Sequence, residues 1–392
     1  MLCHSTPWLA LALALFIAPS ACGGEASVPV ARELGGPSGG GGAVPRATGG
    51  EAEGGAPAGG AGGALYESGR LSCLKPVASS FGPNPYVYSV DWSPIDDYVL
   101  SGTTDSLRLL AVDREAPALT VVATYAQPKN IYVKWSHDGR YALSVSADVR
   151  LLEVNRDPAG FTEVARYTGH EDDIYGVFWS PDGNYALTVS KDQTLRLLAV
   201  DGDQALLEIR AIFTGHAGKV FSAAWSPDQR NALSAGQDST LRLLAVDTEH
   251  GFLKEIASIT DPGWETVVAW GAAPRPALSG DWGAVNQVSM WSVDQGRGTL
   301  ALEGILTTHP EVGMDVLEWS RDGGFLLTGS HDDTLKLFAY DPDSGSFTER
   351  STLDNWQHGV HAASWAPDER NVVMAASHTD HVVLLDTQSC LQ

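Results

Sequence analysis

Seven tryptophans, Trp92, Trp135, Trp179, Trp225, Trp270, Trp319 and Trp365, stand 43, 44, 46, 45, 49 and 46 residues apart, and each belongs to one segment written seven times. A period of about 45 residues is that of a supersecondary unit that cannot bury its own apolar face and must stack on its neighbours. The third copy reads Tyr167-Thr168-Gly169-His170, then Ile174 to Gly183, then Ala186 to Asp192, then Thr194 to Val200, and nearly the same string returns around Trp225. Its apolar or alternating runs are too short for helices. They are punctuated by Pro-Asp-Gly or Ser/Asp clusters, where Pro presets φ and Gly accepts φ > 0. Each copy therefore predicts four short antiparallel strands, the fourth running from Ala205 to Phe213 in the third copy. Seven such sheets arranged radially cover each other's faces and leave only short outer edges. The expected fold is all-β, a seven-bladed propeller of four-stranded antiparallel blades over residues 66–392.

From these residues the chain resembles the WD-repeat β-propellers, over roughly residues 70 to 390. Gly169-His170 and Gly215-His216 fall nine residues before the key Trp, and Asp105, Asp148, Asp192, Asp238 and Asp332 fall thirteen after it. In the family these positions join a Ser or Thr and a second Trp in a buried hydrogen-bonded tetrad. The resemblance assigns His170, Thr188 and Asp192, and likewise His216, Ser234 and Asp238, to those places. The second, name-giving Trp is replaced by Leu110, Leu152, Leu198, Leu244, Phe338 and Leu385, and Trp291 alone retains it. Most tetrads are then expected to be incomplete, with aliphatic packing holding the blades.

Ahead of the repeats, residues 23–64 hold 16 of the 42 glycines and no aromatic residue, which predicts a disordered linker over 22–65. As a flexible coil it reaches about 35 Å. Trp8 to Ala18 is an apolar stretch too short to span a bilayer and of the length of a signal-peptide core, so residues 1–21 read as a signal. Small residues leading to Cys22 and a Gly-rich segment resemble a bacterial lipoprotein signal, in which Cys22 is acylated. Plain secretion with cleavage after Ser20 is the other reading. Either exports the chain, to the cell envelope as a lipid-anchored protein or into the medium.

Two cysteines remain for the folded part, Cys73 and Cys390. The seventh copy runs out after its third strand, His381 to Thr387, and the strand-like run Leu71 to Val77 precedes the first copy. In the family, the N-terminal strand completes the last blade in this way. Aligned on the Trp179 copy, Cys390 falls beside Asp203 and Cys73 near Leu206, on opposite sides of one hairpin turn. A Cys73–Cys390 disulfide is therefore expected in an oxidising compartment, contributing at most on the order of 5 kcal/mol.

The chain carries a net charge of −23, and removing the −2 of residues 22–64 leaves −21 on the repeats. So acidic a surface repels phosphate backbones and anionic lipids, which argues against nucleic-acid partners and limits membrane contact to the N-terminal anchor. No nucleophile elbow, phosphate loop or zincin motif is present, so neither an enzyme nor a cofactor is expected. Six of the eleven histidines, His309, His331, His358, His361, His378 and His381, lie in the last two copies near Glu311, Asp315, Asp332 and Asp380. No tight ligand spacing links them, and no metal is assigned. His309 is expected to pair structurally with Asp332.

Read at fixed register, the position four before each key Trp holds Tyr88, Ile131, Tyr175, Phe221, Thr266, Asp315 and His361. Two positions earlier stand Tyr86, Lys129, Asp173, Gly218, Trp264, Gly313 and Gly359, and twelve after the Trp stand Thr104, Lys191, Gln237, Trp282 and His331 among others. In the family these sets rim the face that grips partners. Tyr86, Tyr88, Tyr175, Phe221, Trp264 and Trp282 thus form the expected partner-binding face. The function expected is a monomeric, non-enzymatic scaffold for a protein or peptide. The alternative is a ligand- or metal-binding propeller, an enzyme among its forms, with its site on the same face or in the channel.

Overall fold

The computed structural model describes residues 73–80, 86–129, 131–260, 265–271, 275–281, 287–309, 313–354, 359–376 and 381–391. The expected signal, Cys22 and linker lie outside the described residues. Among the described residues, twenty-eight strands, β1 (Lys75–Ser80) to β28 (Val382–Asp386), make seven four-stranded antiparallel sheets, the blades of a propeller. Six blades are meanders of consecutive strands. The seventh joins β26 (Val360–Trp365), β27 (Asn371–Ala376) and β28 to β1, so the N-terminal strand completes the last blade.

Blade 3 shows why the sequence folds this way. Its inner strand β10 (Ile174–Trp179) ends at a turn where Gly183 takes φ +75°. There the Ser180 hydroxyl donates to Asp182 at 2.6 Å and accepts from the Tyr185 amide at 2.9 Å. Next come β11 (Tyr185–Ser190) and β12 (Leu195–Asp201), whose Leu187, Leu195, Leu197 and Leu198 are fully buried. The outer β13 (Leu206–Phe213) instead alternates exposed with covered residues, as a strand with one wet face does.

At three junctions, blades are bonded to one another through the key tryptophans. The indole of Trp135 donates to the Asp91 carbonyl at 3.1 Å, that of Trp179 to Lys134 at 3.3 Å and that of Trp225 to Phe178 at 2.9 Å. Each acceptor is the residue just before the preceding key Trp. In blades 2 to 4 the side chain that sets the sequence period thus staples the blade to its predecessor, while aliphatic side chains of neighbouring blades fill the space around it: Leu187, Leu195 and Leu197 pack with Ala223, Trp225 and Leu244.

At the closure, the cysteines are joined as expected, with Cα atoms 5.1 Å apart. The closing strand differs from the expected Leu71–Val77: it runs Lys75–Ser80, with Lys75 opposite Asp386. Before it, the Cys73 and Leu74 amides both donate to Ser351 Oγ in blade 6, at 3.1 and 3.3 Å. Held there and by the disulfide, Cys73 and Leu74 are an entry turn, and Leu74 is buried in the core between blades 6 and 7.

Candidate functional site

The inner strands line a central channel of about 1080 Å³. Six of them carry a β-bulge at the same register, with one residue left out of the ladder: Tyr88 in β2 (Val87–Trp92), Tyr175 in β10 and Phe221 in β14 (Val220–Trp225). The series continues with Thr266 in β18 (Glu265–Trp270), Asp315 in β22 (Met314–Trp319) and His361 in β26. A bulge frees a side chain from the alternation of the strand and re-aims it. Tyr88, Tyr175, Phe221, Asp315 and His361 all line the channel.

Blade 2 corrects the expected ring. Its inner strand β6 (Tyr132–Trp135) pairs without a bulge, and Ile131 is fully buried. The Ile131 amide donates to the Thr103 carbonyl at 3.1 Å, just as the Ile174 amide donates to Ser146 at 2.7 Å. With one residue fewer in this copy, Ile131 takes the buried place of Ile174, and Tyr132 faces the channel instead.

Blades 1 to 4 therefore contribute an aromatic arc. Tyr88 lies 6.1 Å from Tyr132 between ring centroids and 6.3 Å from the expected rim residue Tyr86, and Tyr175 lies 5.5 Å from Phe221. All five rings are partly exposed. Burial raises the Tyr132 phenol, with the Asp315 carboxylate next in effect, so it stays protonated. Outside the rings, Lys129 pairs with Asp173 at 2.7 Å and Lys191 with Asp172 at 3.0 Å. The remaining expected rim residues, Trp264 and Trp282, lie outside the described residues.

Blades 6 and 7 contribute a polar cluster. Asp315 Oδ2 accepts from His331 Nε2 at 2.9 Å and from His361 Nδ1 at 2.5 Å, and the two imidazoles meet edge to face at 4.7 Å. His361 also stacks on Tyr88 at 6.4 Å, linking the two halves of the mouth. Burial pushes the Asp315 carboxyl up, but the hydrogen bonds from both histidines outweigh it and hold it below its ordinary value. His331 is raised, by its bond to Asp315 first and against its burial. Gly359 permits this arrangement, since a Cβ there would stand 2.6 Å from His331 Cα. The expected His309–Asp332 pair forms, while His358, His378, Glu311 and Asp380 lie outside the described residues.

Three residues farther along β2 and β22 and two farther along β6, about 7–10 Å deeper, Asp91, Glu318 and Lys134 form a charged level. Lys134 Nζ bonds Asp91 Oδ1 at 2.8 Å. Burial works against the Lys134 charge, and the Asp91 and Glu318 carboxylates outweigh it. Glu318 is pushed up to about 7, chiefly by burial.

Away from the channel, both expected His–Asp–Ser/Thr networks are present, without the second Trp. His170 Nδ1 donates to Asp192 at 2.7 Å and its Nε2 accepts from the Thr188 hydroxyl at 2.8 Å; His216 does the same with Asp238 at 3.1 Å and Ser234 at 2.8 Å. A third joins His309 to Asp332 and Thr328, both at 2.9 Å. Where Trp291 survives, its indole donates to Ser279 at 2.9 Å. The leucine blades do not rest on aliphatic packing alone. Arg196, two residues before Leu198, donates to Asp192, Tyr167 and the Gly169 carbonyl, and Arg242 donates to Asp238. The repeat pattern alone gives these arginines no role. Their signal is the repeated basic residue at Arg108, Arg150, Arg196, Arg242 and Lys336.

The family model described as WD domain, G-beta repeat matches residues 161–197, 207–243 and 301–338. Each matched stretch contains one of the three His–Asp–Ser/Thr networks. No curated protein matches the chain. Propellers of this kind commonly present binding surfaces to protein partners. The chain is thus a seven-bladed β-propeller that carries WD40 repeats in three places.

Proposed function

We propose that this chain is a non-enzymatic scaffold that binds a protein or peptide at the channel mouth, displayed in the bacterial cell envelope on a lipid anchor at Cys22. The observation that carries the binding reading is the arc of partly exposed rings at Tyr88, Tyr132, Tyr175 and Phe221, aimed inward from a rigid ring. Aromatic side chains bury large areas at low conformational cost, which makes them binding anchors when they stand exposed around a concavity. The net charge of −21 on the repeats favours a partner with a basic surface, which is drawn in and oriented over a distance. Envelope display rests on the apolar stretch before Cys22 and the Gly-rich segment after it.

Crosslinking in intact cells, followed by identification of captured proteins, tests this reading. A partner captured by the native chain and lost with Tyr175→Ala and Phe221→Ala, in variants that keep the native thermal transition, is the expected result. Capture unaffected by these substitutions refutes the proposed face. Mass spectrometry of the mature N-terminus tests the anchor, and an unacylated N-terminus at or beyond Cys22 overturns it.

A further inference from the structure

We propose that Asp315, His331 and His361 form a site for one divalent first-row transition-metal ion, represented by Zn²⁺, in the wall of the channel mouth. The inference does not depend on the partner reading, since it concerns blades 6 and 7 and leaves the aromatic arc aside.

Geometry is the first ground. The three donor atoms, a carboxylate oxygen and two imidazole nitrogens, lie within 4.8 Å of one another. Around a tetrahedral ion with bonds of about 2.0–2.1 Å, donors stand about 3.3 Å apart, so an ion entering here moves each imidazole nitrogen from the Asp315 oxygen by less than about 1 Å. The chemistry of the set is the second. Two imidazoles and one carboxylate suit Zn²⁺, Co²⁺ or Ni²⁺, whereas Ca²⁺ and Mg²⁺ select all-oxygen shells.

Contrast with the tetrads is the third ground. In those, one histidine meets one carboxylate, its other nitrogen accepts from a hydroxyl, and the His170, His216 and His309 side chains are 0% exposed. At the mouth, two histidines converge on a single oxygen, and the side chains of His331, His361 and Asp315 are 27%, 23% and 25% exposed. That exposure is toward the channel and provides an approach for the ion and a fourth position for water or a partner's side chain. Two of the three groups also sit at bulges, outside the ladder, so they can separate without breaking strand pairing.

Binding requires a lone pair on each facing nitrogen. A neutral ring supplies it by carrying its proton on the other nitrogen, and a protonated one by releasing a proton, so affinity rises with pH.

The test titrates the purified full-length chain with Co²⁺, followed by visible absorption, and with Zn²⁺, followed by calorimetry. One equivalent should bind. His331→Gln and His361→Gln should each weaken binding beyond the roughly tenfold to hundredfold loss caused by changes outside the ligand set, and His250→Ala, at an exposed hairpin, should not. Zn²⁺ should also protect His331 and His361 of the unaltered chain from diethyl pyrocarbonate, read by peptide mass spectrometry, so the result does not depend on the variants folding. Absence of stoichiometric binding, binding that survives both substitutions, or labelling unchanged by Zn²⁺ overturns the proposal.

Discussion

Replacing Glu318 with Gln isolates the effect of an acid half-buried in the channel wall. Glu318 shares its level with Asp91 and Lys134, and Asp91 holds the Lys134 ammonium at 2.8 Å. Burial is the main reason that Glu318 rises from 4.5 to about 7; Lys134 opposes the rise and Asp91 adds to it. At 1.36 kcal/mol for each tenfold change in proton affinity, the difference corresponds to about 3 kcal/mol. The folded chain holds this proton more tightly than the unfolded one. The stabilisation is complete below pH 4.5 and is lost as pH rises through 7. Gln keeps the size and neutrality of the protonated acid at every pH. Glu318→Gln should therefore match the native chain near pH 4.5 and exceed it by about 3 kcal/mol above pH 8. Urea unfolding followed by tryptophan fluorescence at a series of pH values measures the gap. A gap that does not change with pH, or that opens toward acid, refutes the assignment of the burden to the Glu318 charge.

Two further predictions concern the scaffold. Thr188→Val leaves His170 Nε2 buried without its hydroxyl donor and should cost about 1–3 kcal/mol in chemical denaturation; a neutral effect would mean the network contributes no stability. Joint Cys73→Ser and Cys390→Ser substitution opens a closure that spans 317 residues. It should lower stability by up to about 5 kcal/mol, with hydrogen exchange rising first in β1 and β28, and unchanged exchange there would show that strand pairing closes the ring unaided.

The fold was legible because the residue that repeats is a residue with a structural task. Trp135, Trp179 and Trp225 bond to the preceding blade, so their spacing measures the blade itself. The channel mouth was only partly legible. A bulge leaves no composition of its own, and fixed register placed Ile131 where Tyr132 stands, although the 43-residue interval before Trp135 is the shortest of the six. Asp315, His331 and His361 come from two blades, and no local spacing unites a strand bulge, a turn and the next blade's bulge. Only the packing of blade 7 against blade 6 brings them together. The arginines behind the tetrads were hidden differently, since a basic residue in an alternating strand reads as a solvent-facing position until its acceptors are known.

The six bulges also break the symmetry of the ring. Seven blades of common design offer a guest seven equivalent orientations about the channel axis, and a mouth built from ladder residues would preserve that equivalence. Because each bulged side chain stands outside the ladder, it varies from blade to blade at little cost to pairing. Here the bulged Tyr88, Tyr175 and Phe221, with Tyr132 of the unbulged blade 2, make an apolar half of the mouth, and the bulged Asp315 and His361, with His331 at a turn, an ionisable half. A guest that is itself polar at one end has a single rotational setting in which both halves are matched, so the mouth functions as a keyway in an otherwise round bearing.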